Sequence, residues 1–395
     1  MKKILFLTHQ LQYPPVSGGA IKRWKLVEHL SGNYSLAIFV FFQDNFARRK
    51  AMLLSKIRTT DFYGEILHRP RTLKNLLKSY LKNIPLSLYR NYSGTFKKHV
   101  ENTCSDYDII FLDSLIMAQY IPEVFSGRII LHTHNAEYMI WERLFRLERN
   151  PVKKLGILLE SKRIKHYEKA AGDRATCLLA APNDKLDLIK LGIRQKKIHE
   201  TFHLGDESLL DLPGMDFDQT EEALLYVGTL SWEPNADGLI WFIKHAWNRL
   251  KAQNRQLRFY IVGESPGNTL QELVKCTKDI ILTGFVADLT PYYDRCRIFV
   301  APLRFGGGIK VKIINAMYRG IPIVTTPTGT EGLALKDRVH AAISEDPLTM
   351  AEDIHVLLKD KILWQALRDN SRSMAKEKYT WARVFSNVDR LIKVI

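Results

Sequence analysis

Cysteine is scarce in this chain. Four residues in 395, Cys104, Cys177, Cys276 and Cys296, lie far apart and form no C-x-x-C. That excludes a disulfide framework and a thiolate zinc site, and suits a reducing compartment. Long apolar runs are missing too, and no stretch approaches the roughly eighteen residues that a membrane-spanning helix needs. The opening run Ile4-Leu5-Phe6-Leu7 is too short for a secretory signal, so the expected location is cytoplasmic. Acidic residues are in deficit, with 42 Asp and Glu against 58 Lys and Arg and a net charge of +16. A basic balance suits nucleic acid, an anionic membrane surface or phosphorylated substrates. With no zinc-finger or RNP-type pattern, nucleic acid is not expected as a partner. No G-x-G-x-x-G follows a strand, so a bound dinucleotide is not indicated. What remains is ordinary for a globular protein: 46% hydrophobic and 25% charged residues, in a length that favours two domains.

The most informative stretch runs from Ala301 to Met317. An apolar segment, Arg297 to Ala301, reads as a buried strand, and an amphipathic segment, Ile309 to Tyr318, reads as a helix. Gly306, Gly307 and Gly308 sit at the junction. Glycine lets backbone approach a ligand closely, and a helix start offers free N–H groups with partial positive charge. Lys310 and Lys312 lie in the expected first turn, where a cation is ordinarily unfavourable, and no Asp or Glu offsets them. Glycines, amides and two lysines together point to an external anion, most simply a phosphate or pyrophosphate. The bland alternative is a flexible loop carrying two solvated lysines.

The rest of the chain alternates strand and helix. Lys3 to Thr8 reads as a first strand. A loop with Pro14-Pro15 and Ser17-Gly18-Gly19 follows, then a helix from Ala20 to Leu30. Gly18 and Gly19 either face a substrate or form the turn. Leu36 to Phe42 is a strand; Phe46 to Thr59 and Arg71 to Lys82 read as helices in a basic region containing Arg48, Arg49, Lys50, Lys74, Lys78 and Lys82. With Leu76, Leu77, Tyr80 and Leu81 interleaved, that region suits an anionic lipid surface or a solvated basic face. Asp108 to Leu112 and Arg128 to Leu131 are strands, and the second runs into His132-Thr133-His134-Asn135-Ala136-Glu137. A His-x-His can ligate metal, but spacing supplies no third ligand, and His134 is placed near the ligand crevice at a strand's carboxyl end. Trp141 to Arg149 and Leu155 to Ala171 read as helices, and Ala175 to Ala181 as a further strand. A polar linker, Thr201 to Pro213, precedes a second run of strands at Ala223 to Gly228, Leu257 to Gly263, Asp279 to Gly284, Arg297 to Ala301 and Ile321 to Thr325. This alternation gives an α/β fold class: two Rossmann-like domains, 1–200 and 201–379, facing one cleft, with 380–395 a helix that returns to the first domain.

At this point the residues resemble a known family. Tyr226-Val227-Gly228 with Trp232-Glu233-Pro234-Asn235, Ile261-Val262-Gly263, Leu282-Thr283-Gly284-Phe285-Val286, Ala301-Pro302-Leu303-Arg304, Gly306 to Lys312 and Gly329-Thr330-Glu331-Gly332-Leu333 occur in the order seen in GT-B glycosyltransferase family 4, the group 1 nucleotide-sugar transferases. The match covers about 110 residues. The N-terminal resemblance is thinner: Tyr13-Pro14-Pro15 with Ser17-Gly18-Gly19, and His134 to Tyr138.

The resemblance implies transfer of a sugar from a nucleotide diphosphate donor with retention of configuration, to a glycan or lipid-linked acceptor in cell-surface polysaccharide or lipopolysaccharide synthesis. It implies a C-terminal domain for the nucleotide and an N-terminal domain for the acceptor. Gly306, Gly307 and Gly308 with Ile309, Lys310 and Lys312 would hold the diphosphate, with Gly228 and Arg304 nearby. Phe285 and Val286 would frame the base. His134, Gly18 and Gly19 would approach the sugar. Two glutamates common in the family are absent: Gly307 stands at the first position and Asn315 at the second. A glycine-rich branch also lacks the first. Asparagine can still bond a ribose hydroxyl, without charge. No Asp-x-Asp stands beside the glycine loop, so the expected chemistry is metal-independent, with no cofactor beyond the nucleotide sugar itself. Two rival readings share this pattern: a nucleotide-sugar epimerase, and a non-catalytic partner protein.

Overall fold

The computed structural model describes residues 1–15, 18–43, 46–70, 72–148 and 150–394. Ser17, Arg71 and Arg149, which carry expectations stated above, lie outside the described residues. The chain divides into two compact units, Met1–His203 with Val384–Ile395, and Leu204–Arg383.

The first unit is built on seven strands: β1 (Lys3–Thr8), β2 (Ser35–Phe42), β3 (Asp61–Ile66), β4 (Ile109–Asp113), β5 (Arg128–His132), β6 (Cys177–Ala180) and β7 (Ile198–Glu200). They form one sheet in the order β3-β2-β1-β4-β5-β6-β7, every pairing parallel. A parallel sheet covered on both faces needs apolar side chains on both, which explains the unbroken runs Ile-Leu-Phe-Leu in β1 and Ile-Ile-Phe-Leu in β4. Successive residues alternate between faces. Leu5, Leu7, Ile110 and Leu112 pack in one buried cluster, and Ile4, Phe6, Ile109 and Phe111 in another. The second cluster also takes in Val388, Leu391 and Ile392 of the final helix, Trp381–Val394. That helix is fastened at Asp389, which accepts from Tyr34 Oη at 2.8 Å and lies 2.9 Å from His29 Nε2.

The second unit carries β8 (Glu221–Val227), β9 (Arg258–Val262), β10 (Ile280–Gly284), β11 (Cys296–Ala301), β12 (Ile323–Thr325) and β13 (Ala342–Ile343). Its sheet runs β10-β9-β8-β11-β12-β13, again parallel throughout. Each unit is therefore a Rossmann-like α/β layer. In both sheets the strand order reverses next to the first strand, between β1 and β4 and between β8 and β11. At such a reversal the outgoing loops splay apart and leave a crevice at the carboxyl ends.

Three strands escape the sequence reading: β3, β7 and β13. All are edge strands: β7 and β13 have only three and two residues, and β3 is half-buried in its middle and exposed at both ends, so no continuous apolar run announces them. Helix limits also shift. The helix expected from Arg71 is Leu73–Leu81, stopped by Thr72, whose hydroxyl accepts from Asn75 N at 3.3 Å. The helix expected from Trp141 begins earlier, at Glu137, and ends at Leu147. Its first amides are capped from outside its own sequence: Glu168 accepts from Glu137 N (3.0 Å) and Tyr138 N (2.8 Å), and Asp184 from Ala136 N (3.1 Å). Neighbouring residues give no sign of such a cap.

Candidate functional sites in the two units

In the second unit, the turns after β8 and β11 supply the candidate donor site. The helix after the glycine loop is Val311–Arg319, two residues later than the pattern suggests, with Lys310 at its N-cap and Lys312 in its first turn. Gly306 and Gly308 have φ of 122° and 74°, values that L-residues rarely adopt, so these two glycines are required by the loop's path. The two lysines divide. The Lys310 ammonium turns back and donates to the carbonyls of Gly308 (2.7 Å) and Gly307 (3.2 Å), with Glu331 Oε2 at 3.7 Å. It holds the loop's shape. The Lys312 ammonium donates to Tyr226 Oη at 2.6 Å and Asn235 Oδ1 at 2.7 Å, and lies over the Tyr226 ring at 4.3 Å. Burial, with the Lys310 charge nearby, pushes its pKa down to about 7. A lysine that gives up its proton so readily stands to gain from an anion beside it.

Gly228 shows how closely that ammonium sits to the backbone. A Cβ built there would lie 2.7 Å from Lys312 Nζ, 3.1 Å from Asn235 Nδ2 and 3.1 Å from Tyr226 Oη. Gly228→Ala is therefore expected to displace Lys312 while leaving the sheet intact. Nucleotide affinity measured by calorimetric titration should fall by about tenfold, the scale of one charge-assisted hydrogen bond. An unchanged affinity would remove Lys312 from the binding site.

The remaining donor-side residues are distributed as follows. Ile309 is half-buried beside the loop. Arg304 makes a two-pronged ion pair with Asp237, at 2.8 and 2.7 Å, so its charge is already matched. Phe285 is 75% exposed and Val286 half-buried, both following β10. Asn315, one turn on from Lys312, accepts from Asp206 N at 2.9 Å. The segment Thr201 to Pro213 reads as a polar linker, with no anchoring contacts visible in the sequence. Instead Leu204 and Leu209 are buried, Glu207 accepts from Trp381 N at 2.6 Å, and Gly205 leaves no room for a Cβ against Asn315. Tyr226 and Asn235 are the partners that sequence reasoning quoted within motifs but gave no role. Their signal was a tyrosine near the end of a strand and an asparagine at the third position of a helix with proline in its first turn.

In the first unit, the register explains the second cluster. Thr8 pairs with Asp113 across β1 and β4, and Asp113 with His132 across β4 and β5. The three side chains thus fall in one row at the carboxyl ends. Asp113 is fully buried and occupied at both oxygens: Oδ2 takes the Arg23 guanidinium and Thr8 Oγ1 (2.9 Å), and Oδ1 takes His132 Nδ1 (3.0 Å) and His134 Nε2 (2.8 Å). Burial alone would raise the Asp113 carboxyl, but the Arg23 charge, with His134 and His132, holds it well below the usual carboxylate range. Burial, aided by the Lys22 charge, pushes His132 down to about 3 and lowers His203 as well. The His134 ring lies 5.5 Å from that of His203, tilted by 54°, and His134 is the half-buried member of the row.

Asp113, His132 and His134 supply the third ligand that spacing could not, since their candidate ligand atoms lie within 4.8 Å of one another. A metal ion there would replace the hydrogen bonds that His132 and His134 make to Oδ1, and would share the carboxylate with the Arg23 guanidinium on Oδ2, a neighbour of like charge. The donor set therefore fits an ion-paired hydrogen-bond row better than a cation site. Gly18 and Gly19 begin the helix Gly18–Asn33, and a Cβ added at Gly19 would meet nothing within 4 Å. The same helix buries Lys22 and Arg23 near its start, against its dipole; the Asp113 charge offsets this. Lys22 Nζ, His203 Nε2 and Asp184 Oδ2 are buried without a hydrogen-bond partner among the described residues. Asp113, Arg23 and Lys22 were not anticipated from the sequence. The available signal was an acidic residue ending an otherwise apolar strand.

Comparison with known proteins gives a consistent picture. Residues 221–360 match the family described as glycosyl transferases group 1. The chain is 23% identical, over 403 residues covering 98% of it and 99% of the relative, to an uncharacterized 44.6 kDa protein in the cps region of Klebsiella pneumoniae. Among solved structures it is similar to Anabaena HepE in complex with UDP-glucose (TM-score 0.66, 14% identity, 100% of both chains). It is also similar to a Staphylococcus aureus TarM variant in complex with fondaparinux, alpha-GlcNAc-glycerol and UDP (TM-score 0.69, 11% identity, 99% of both chains). A third likeness is to sucrose-phosphate synthase from Thermosynechococcus elongatus (TM-score 0.66, 14% identity, 100% of this chain and 98% of that one). At these identities the structural likenesses establish a shared fold.

Proposed function

We propose, from the match of residues 221–360 to the group 1 glycosyltransferases, that the chain moves a sugar from a nucleotide diphosphate donor to a glycan or lipid-linked acceptor with retention of configuration. The observation that carries this reading is the Lys312 ammonium. It is held by Tyr226 and Asn235 against Gly228, at the start of the helix that follows the glycine loop. Departure of a nucleoside diphosphate builds negative charge on its β-phosphate. A preorganised ammonium and the free amides of the helix start stabilise that charge, a contribution that is usually the largest single one in such catalysis. Lys310 contributes by fixing the loop. A leaving-phosphate oxygen takes the acceptor hydroxyl's proton as the new glycosidic bond forms on the same face and the old one breaks. This requires neither a carboxylate pair nor a metal, since the ammonium supplies the positive charge.

The complexes of HepE with UDP-glucose and of TarM with UDP support a uridine nucleotide. The relative in a cps region supports an acceptor in cell-surface polysaccharide synthesis. Among the described residues no helix is long and apolar enough to cross a membrane, and we place the protein on the cytoplasmic side, working peripherally. Phe285 and Val286 would frame the base, Asn315 a ribose hydroxyl, and His134 with Gly18 and Gly19 the sugar.

Incubation with a panel of UDP-sugars, with and without a glycan acceptor and in the presence of a chelator, tests this reading. The expected result is acceptor-dependent release of UDP, insensitive to the chelator, and a product with the donor's anomeric configuration by NMR. Conversion of the donor without acceptor would indicate an epimerase. Inverted configuration would contradict the mechanism. One observation favours a non-catalytic partner: Asn315 is already engaged by the Asp206 amide. No turnover with any donor would be its expected result.

A further inference from the structure

Two helices of the first unit show an unusual amount of apolar surface. On Leu73–Leu81, Leu73, Leu77 and Leu81 recur at four-residue spacing and are 79%, 66% and 87% exposed. On Pro151–Arg174, Val152, Leu155 and Leu159 recur at three and four, and are 79%, 59% and 48% exposed. Each set forms a ridge along one face of its helix. Arg163, one turn beyond Leu159, fastens the two helices together. Its guanidinium donates to the carbonyls of Ser79 (3.0 Å) and Ile84 (2.8 Å) and lies 3.8 Å from the centre of the Tyr80 ring. A helix that buries Ser79 and displays three leucines is oriented with its apolar face outward. That orientation has a cost in water unless something covers the face.

The charge around the ridges identifies the cover. From Arg69 to Val100 the sequence has no Asp or Glu and eight Lys or Arg. Lys74, Lys78 and Lys82 run alongside Leu73, Leu77 and Leu81, one residue on in each case. Beside the longer helix, and bordered by Lys82 just past the end of the shorter one, lies a cavity of about 540 Å³, lined among others by Lys97, Lys162, His166 and Arg174, with Glu123 its one acidic residue among those described. Lys162 and His166 continue the stripe of Leu155 and Leu159, so the helix passes from an apolar ridge to a cationic one. Leucines to enter acyl chains, lysines level with them for phosphates, and a basic cavity wide enough for a headgroup form a surface complementary to anionic lipid.

We propose that this face of the first unit docks on an anionic phospholipid bilayer, with the two ridges inserted at the headgroup boundary and the basic cavity receiving a lipid phosphate. The inference rests on no part of the donor assignment. It gives the peripheral location suggested above a definite surface, distinct from the Asp113 row and from the Lys312 site.

Sedimentation with vesicles tests it on the full chain. Vesicles of phosphatidylcholine with about 30 mol% phosphatidylglycerol should bind the protein, and binding should weaken steeply with added salt, while phosphatidylcholine alone should bind at least about tenfold less. Two double variants separate the contributions: Leu77→Ser with Leu81→Ser, and Lys78→Glu with Lys82→Glu. Each should lower binding to the anionic vesicles by about tenfold or more. Because these side chains are exposed, the melting temperature and its response to UDP should stay at parental values, which keeps loss of binding distinct from loss of fold. Equal binding to both vesicle types, binding to neither, or parental binding by either variant would overturn the proposal. Concentration-dependent dimerisation abolished by the leucine variant, with no vesicle binding, would assign the face to a second copy of the chain instead.

Discussion

Replacing Lys312 with alanine lowers turnover by about 10²-fold or more, the scale reported for loss of one strong donor to a developing oxyanion. The argument starts from position. Lys312 is the first-turn lysine whose ammonium is directed away from the glycine loop, to Tyr226 and Asn235, whereas Lys310 is tied to the loop carbonyls. Its state of charge gives an independent readout. The folded lysine titrates at about 7 because burial, with Lys310 beside it, disfavours the charge, while the unfolded lysine titrates near 10.5. The unfolded chain therefore binds more protons between those values, and this group makes the free protein more stable as pH rises from about 7 towards 10.5. A bound diphosphate reverses the preference by favouring the charged form. Nucleotide affinity should accordingly be flat below about pH 7 and fall above it, by at most about tenfold per pH unit. In Lys312→Ala that pH dependence should flatten. Near-normal turnover in the variant, or an unaltered pH dependence, would remove Lys312 from the phosphate site.

The second large effect belongs to Asp113. Asp113→Ala leaves Arg23 buried without its carboxylate and takes an acceptor from His132, His134 and Thr8. Breaking a buried ion pair from one side costs about 3–5 kcal/mol. For a unit of this size, that corresponds to a fall of about 6–20 °C in its melting transition. The double variant Arg23→Met with Asp113→Leu removes both charges together and should recover most of the loss, because the penalty comes from the uncompensated partner. Differential scanning calorimetry on the parent, Arg23→Met, Asp113→Leu and the double variant completes the cycle. A fall below about 2 °C for Asp113→Ala would mean that the row is not held by its carboxylate.

The two clusters also show how far the sequence could be read. The central strands were legible because a parallel sheet buried on both faces demands continuous apolar runs, and the glycine loop because its residues are compositionally odd. The edge strands β3, β7 and β13 were not, since β3 is nowhere fully buried and β7 and β13 are too short to carry such a run. The Asp113 row depends on register. Thr8, Asp113 and His132 become neighbours only when β1, β4 and β5 align, over sequence separations that no local pattern spans. The division between Lys310 and Lys312 was invisible for a different reason. Both lie near one helix start, but the helix begins at Val311, so the first caps the loop and the second crosses to Tyr226. The linker reads only as polar because the partners of Asp206 and Glu207, which are Asn315 and Trp381, are distant in sequence.

The measurement that bears most directly on the donor site is thermal stabilisation of the parent and of Lys312→Ala against a panel of nucleoside diphosphates and their sugars. A ligand at about 100 times its dissociation constant adds roughly 2.7 kcal/mol to the stability of the state that binds it. The expected result is a raised melting transition with one nucleoside diphosphate and its sugars, uridine being favoured, and a much smaller rise in the variant. No rise with any nucleotide, or an equal rise in the variant, would contradict a diphosphate site at Lys312.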